Sequence, residues 1–171
     1  MADAITSVSL DPNLDGSGLR VAIVAARFNA DITERLVDGA ADRLSALGCA
    51  GSEVFWVPGA FELPLAAQAL ARSRRFDAVV TLGAVIRGDT AHFDYVCLAA
   101  TDGVREVALR EHVPVSFGVL TVDTKQQALE RAARPGEPGF NNGSHAAAVA
   151  VEMARLLRTV APDASAAGSA A

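Results

Sequence analysis

Four short apolar runs, each followed by a stretch with helical spacing, limit what this chain can fold into more than any other feature. Arg20–Ala26 (RVAIVAA), Ser52–Val57 (SEVFWV), Ala78–Ile86 (AVVTLGAVI) and Val115–Leu120 (VSFGVL) are brief, apolar and bounded by turn-forming sequence, which is how strands read. The third run is the most hydrophobic, as expected of a strand buried on both faces. After the first run, Asn29 and Asp31 offer N-caps, Ile32, Leu36, Ala40, Leu44 and Leu47 recur at helical spacing, and Gly48 supplies a stop. Phe61–Arg72 repeats the pattern with Pro64 near its first turn, where proline is tolerated. Ala91–Glu111 reads as a long helix, and Thr124–Ala133 as a helix starting from Asp123. A linker rich in Pro, Gly and Asn, Arg134–Gly143, leads to a last helix capped by Ser144 and running to Thr159.

Strands that alternate with helices of ten or more residues pair in parallel and carry helices on both faces, so the expected fold is a three-layer α/β domain. Sheets of this kind bind ligands beyond the carboxyl ends of their strands. The loops Arg27–Asn29, Pro58–Glu62, Ala84–Thr90 and Thr121–Asp123 are therefore expected to converge on a site.

With 171 residues the chain fits one domain, read as an N-terminal extension (1–18), the α/β domain (19–160) and a tail (161–171). Hydrophobic residues make up 51 %, yet only nine are aromatic: seven Phe, one Trp and one Tyr. The core must then be aliphatic and Ala-rich, and the positions of the rings become informative. A net charge of −5 argues against a nucleic-acid surface. Cys49 and Cys97 are too few and too far apart for a disulfide framework or a zinc site, and read as buried small apolar residues of a reducing compartment. No secretory signal pattern opens the sequence and no apolar run reaches the ~18 residues of a membrane span, so the expected setting is cytoplasmic, with no membrane partner.

The sharpest local feature is Ile86-Arg87-Gly88-Asp89-Thr90-Ala91-His92, between an apolar strand and a long helix. Backbone N–H groups of a Gly-containing turn, a Thr hydroxyl and a helix N-terminus together make an anion site. His92 in the first turn would stand beside that anion as a proton-transfer group. On spacing alone, Thr90 as a plain N-cap and His92 as a solvated side chain read equally well. In Pro58-Gly59-Ala60-Phe61-Glu62, Glu62 can bind a polyol or simply complement a helix dipole. Phe28 can stack on a flat heterocycle or act as a hydrophobic staple. Arg131, Arg72-Ser73-Arg74-Arg75 and His112 read as solvated or helix-end charges, and Asn142-Gly143-Ser144 as a chance sequon.

Taken in order, these loops resemble the lumazine synthase family from about Leu19 to Leu157. The carriers are Arg27-Phe28-Asn29, Val57 to Pro64 (VPGAFELP), Gly83 to Thr90 (GAVIRGDT) with His92-Phe93-Asp94-Tyr95-Val96, Phe117 to Thr121 (FGVLT) and Gln126 to Ala132 (QQALERA). The resemblance implies a flavodoxin-like domain with a four-stranded parallel sheet, assembled as a homopentamer with active sites between neighbouring subunits. It implies condensation of 5-amino-6-(D-ribitylamino)uracil with 3,4-dihydroxy-2-butanone 4-phosphate to 6,7-dimethyl-8-ribityllumazine, phosphate and water, without cofactor or metal, and a functional link to riboflavin synthase. By position it implies that Phe28 stacks on the pyrimidine, Ala60, Phe61 and Glu62 hold the ribityl side, and Ala84, Val85 and Ile86 contact the uracil through their backbone. Asp89 and Thr90 would receive the phosphate together with Arg131, Phe117 and Arg131 would come from the adjacent subunit, and His92 would move protons.

The family pattern Asn-Lys-Gly, followed two residues later by an acid, is here Asn141-Asn142-Gly143-Ser144-His145, so Asn142 and His145 replace a cation and a carboxylate. Losing both together strands no unpaired charge. That substitution motivates a second reading, a catalytically weakened paralogue that binds lumazine or flavin as carrier or regulator. The loop Arg134–Asn142 is about three residues longer than in shell-forming members, which disfavours a sixty-subunit shell against a pentamer or a pair of pentamers.

Overall fold

The computed structural model describes residues 14–160. Most of the extension and the whole 161–171 tail lie outside the described residues. Strands β1 (Arg20–Ala26), β2 (Gly51–Val57), β3 (Ala78–Ile86) and β4 (Val115–Val122) form one sheet in the order β2-β1-β3-β4, and every pairing is parallel. Helices α1 (Ala30–Ala46) and α5 (Asn142–Val160) cover one face, with the short α4 (Lys125–Leu129) beside them. Helices α2 (Leu63–Arg72) and α3 (His92–Glu111) cover the other. The expected three-layer α/β, flavodoxin-like arrangement is what the chain adopts.

Two cores follow from the pleat. Val21, Ile23, Ala25, Val80 and Leu82 point to the α1/α5 face and meet Ile32, Leu36, Leu44 and Val151. Ala22, Val24 and Val79 point the other way, onto Leu63, Ala67, Ala100 and Phe76. Almost all of the fully buried side chains are aliphatic, and Phe76 is the one ring among the buried core residues. Small residues set the helix spacing. A Cβ on Gly103 would fall 2.6 Å from the Pro64 ring, so α3 lies tight against α2, and Gly143 brings α5 against the backbone of α1 at Leu36.

Several element ends differ from the expectation, each for a local reason. The Phe61–Arg72 helix opens as a 3₁₀ turn, Ala60–Glu62, before α2 begins. Strand β4 runs two residues further, to Val122, because it stays in register with β3 up to Ile86. Helix α4 stops at Leu129 rather than Ala133: Ala132 bridges antiparallel to Asn141, which pulls the chain out of helix and closes the 134–140 loop. Its cap is Thr124, not Asp123, in a capping box with Gln127. Asn141, not Ser144, caps α5. Its Oδ1 accepts from Ser144 N at 2.9 Å while its Nδ2 donates to the carbonyls of Arg35 and Ala133. Cys49 and Cys97 are half-buried rather than buried, and that partial burial raises both thiol pKa values.

Candidate active site

The chain leaves β1 toward β2 on one side of the sheet, and β2 returns through α2 to β3 on the other side of β1. The crevice outside the carboxyl ends of β1 and β3 is therefore the topological switch point, where an open α/β sheet has room for a ligand. Asn29 pins this crevice. It holds a left-handed backbone (φ 59°) that lets its side chain turn away from helix capping, and its Nδ2 donates to the Ala84 carbonyl at 2.8 Å, tying the end of β1 to the end of β3. The expectation of Asn29 as a side-chain cap fails for this reason.

A cavity of about 540 Å³ opens at this point, within the size range of small-molecule sites. Three of the four expected loops line it. Phe28 follows β1; Ala60, Phe61 and Glu62 follow β2; Ala84, Val85, Ile86, Gly88, Thr90 and His92 come from the end of β3 and the start of α3. Phe28 is 72 % exposed and Phe61 61 %, too open for a staple or a core ring, so both stand as uncovered aromatic surfaces at the rim. Glu62 precedes α2 but makes no capping hydrogen bond, and its carboxylate folds over Gly59, where a Cβ would lie 3.3 Å from Oε2. No side chain caps α3: the Thr90 hydroxyl reaches only to 3.4 Å from His92 N, a long contact that leaves the hydroxyl and the helix's first N–H groups able to receive an anion.

The fourth loop, Thr121–Asp123, does not line the cavity, and neither does Asp89, which is exposed between Gly88 and Thr90. Asp123 is instead engaged by Arg87 at 2.8 Å, and Arg87 also reaches Asp94 at 3.3 Å. The hydrogen bond to Asp123, more than any other contact, makes the Arg87 guanidinium hold its proton more tightly than usual.

Phe117 and Arg131 are not brought to this cavity. Phe117 pairs in register with Thr81, three residues before Ala84, where the cavity lining on β3 begins, which sets it about 10 Å down the sheet. Arg131 follows α4, near the α1/α5 face, where it donates to the Gln127 carbonyl at 2.8 Å and lies 3.8 Å from Glu130. Asn142 sits beside it, its N–H bonded to the Arg131 carbonyl at 2.9 Å. His145 is tilted against Phe140 and lines a separate cleft of about 410 Å³ between the 134–141 segment and α1. Sequence reasoning gave Phe93 and Val96 as motif residues without a place at the site, although both line the cavity, and it missed the locking role of Asn29, whose left-handed backbone leaves no pattern in a single sequence.

Among the described residues, no group of three or more His, Cys, Asp or Glu is placed to hold a metal ion, and no helix is long and apolar enough to cross a membrane. A family model described as 6,7-dimethyl-8-ribityllumazine synthase matches residues 18–158, most of the chain.

Proposed function

Because the chain belongs to the 6,7-dimethyl-8-ribityllumazine synthase family, transferase-type enzymes of riboflavin biosynthesis that act on small molecules as oligomers, we propose that it condenses 5-amino-6-(D-ribitylamino)uracil with 3,4-dihydroxy-2-butanone 4-phosphate. The reading rests on one observation: the motif residues around Phe28, Phe61, Glu62, the 84–86 backbone, Thr90 and His92 line a single cavity at the switch point.

The chemistry that this lining supports is positional. Phe28 offers a ring to the pyrimidine face, and the backbone of Ala84–Ile86 offers hydrogen bonds to its edge. Glu62 accepts from ribityl hydroxyls beside Ala60 and Phe61. The Gly88–Thr90 turn and the start of α3 receive the phosphate. In the reaction the pyrimidine amine adds to the ketone and water leaves as the imine forms. Phosphate is then eliminated, and the second amine closes the ring with loss of water. Each step moves a proton, and His92, between the phosphate turn and the cavity, is the group to shuttle it. Holding two reactants in register contributes the rest of the acceleration, up to ~7–11 kcal/mol at its limit. No cofactor or metal takes part in this scheme.

Neither Phe117 nor Arg131 lines its own chain's cavity, which supports their contribution to a neighbouring subunit's site in a cyclic pentamer, free or paired. Leu65, Tyr95, Leu98 and Leu109 leave apolar surface on α2 and α3 for such packing. The enzyme would work in the cytoplasm and hand its product to riboflavin synthase. Incubation with both substrates should give fluorescent lumazine and one phosphate per product, and neither when one substrate is omitted. Tight lumazine binding without turnover would transfer the reading to the carrier suggested by Asn142 and His145.

A further inference from the structure

Resting on this reading of the cavity, we infer that Arg87 is a positioning residue: its guanidinium clasps Asp123 and Asp94 and covers Phe93, and so holds the turn that carries Thr90 and His92 against the end of β4. Four contacts converge on this one residue, three of them through its side chain. Nε donates to Asp123 Oδ1 at 2.8 Å, and Nη1 reaches Asp94 Oδ1 at 3.3 Å. Cζ lies 4.1 Å from the centre of the Phe93 ring, a ring that also lines the cavity. The Arg87 main-chain N–H donates to the Val122 carbonyl at 2.9 Å, so backbone and side chain grip the same strand end.

Residues 87–91 form an exposed turn that has no strand partner beyond Val122 and no side-chain cap on the helix that follows. A planar, five-donor guanidinium can bond a carboxylate on each side and stack on a ring at once; an ammonium cannot. The clasp also separates Arg87 from the phosphate role that its place in the turn would otherwise invite. One cation set against two carboxylates leaves a local charge of −1, so Arg87 is not the phosphate's counterion and the cation for that group must be supplied from elsewhere, as Arg131 of a neighbour would do. The turn carries the phosphate and proton-transfer groups, whereas the pyrimidine is held by β1, the 60–62 turn and the 84–86 backbone. Loosening the clasp should therefore act on one substrate and spare the other.

The test compares wild type with Arg87→Ala, Arg87→Lys, Asp123→Ala and the Arg87→Ala/Asp123→Ala pair. For Arg87→Ala we expect KM for the butanone phosphate to rise roughly ten- to a hundredfold with a fall in kcat, while KM for the pyrimidine stays within about twofold and the melting temperature is unchanged. Lys should restore little, and the double variant should be no worse than Arg87→Ala, because both changes break one clasp. Native-state hydrogen exchange reads the same claim without turnover: the amides of residue 87, bonded to the Val122 carbonyl, and of Asp94, bonded to the Ala91 carbonyl, should exchange about fivefold faster or more in Arg87→Ala after correction for intrinsic rates, with those of residues 79–83 in β3 unchanged. Unchanged exchange at residues 87 and 94, full rescue by Lys, or equal rises in both KM values would overturn the assignment. A wild-type chain that makes no lumazine would refute the catalytic reading while leaving the exchange comparison to decide on the clasp.

Discussion

Gly143 is the position where one added methyl should cost most relative to its size. It lies in the first turn of α5, facing α1, and a Cβ built there would stand 2.7 Å from the Leu36 carbonyl carbon and 2.9 Å from its Cα, and closer still to its oxygen. Relaxed carbon contacts need about 3.5–4.0 Å, so α5 must back away from α1 by roughly 0.8 Å or more. The obstacle is backbone, which cannot rotate aside. Retreat would also strain the Asn141 bonds to the Arg35 and Ala133 carbonyls, which span the same helix pair. Overpacking of this kind costs ~1–3 kcal/mol, offset by at most about 1 kcal/mol of helix propensity gained by Ala over Gly. The net loss should lower the melting temperature by about 2–4 °C per kcal/mol. Urea or thermal unfolding at fixed protein concentration measures it, since assembly makes apparent stability concentration-dependent. Because Asn142 N–H bonds the Arg131 carbonyl, the variant should also weaken use of the phosphate substrate at temperatures where it remains folded. A Gly143→Ala protein as stable as wild type would show that Gly143 does not set the α1–α5 spacing.

Phe28→Ala should leave stability nearly unchanged, because the ring is largely exposed, yet raise KM for the pyrimidine about tenfold through loss of a stacking surface, as read in steady-state kinetics. Asn142→Lys places a cation beside Arg131 and should raise kcat/KM by roughly ten- to a hundredfold, the worth of one charge-assisted hydrogen bond; a fall would mean that the site has been rebuilt around Asn142. Arg72 and Gln68 donate to Glu111 across α2 and α3, and the Arg72 bond holds the Glu111 carboxyl below its ordinary value near 4.5. A depressed folded pKa adds stability above the unfolded value that is lost as pH falls through the folded one. The melting-temperature gap between wild type and Glu111→Gln should therefore be widest at neutral pH and close on acidification below 4.5.

Alternation of apolar runs and helical spacing was enough to read the layers, the parallel sheet and the convergence of Phe28, Phe61, Glu62 and His92, because each of these depends on local pattern plus one topological rule. What escaped the sequence depends on non-local partners. The end of α4 is set by a bridge from Ala132 to Asn141 across a loop, and the cap of α5 by an Asn whose amide spans two other carbonyls. Asp123 was expected at the cavity because its loop ends a strand; its pairing with Arg87, thirty-six positions away, turns it into a tether instead. Phe117 and Arg131 show the same limit from the other side, since under the proposed function they would complete a site in a second copy of the chain, and nothing local in the sequence marks such residues.

The claim at the centre of this account is that the switch-point cavity is a catalytic site completed by Arg131 of a neighbour. Mixing subunits tests it most directly. His92→Ala and Arg131→Ala should each lose most lumazine-forming activity alone, the former by about 10²–10⁴-fold. Equal amounts unfolded together and reassembled should form wild-type sites at about one quarter of interfaces, wherever an intact His92 faces an intact Arg131 on the next subunit, and regain that share of wild-type turnover. A mixture no more active than its two components would contradict the shared site, and a wild-type chain with no turnover would contradict the catalytic assignment itself.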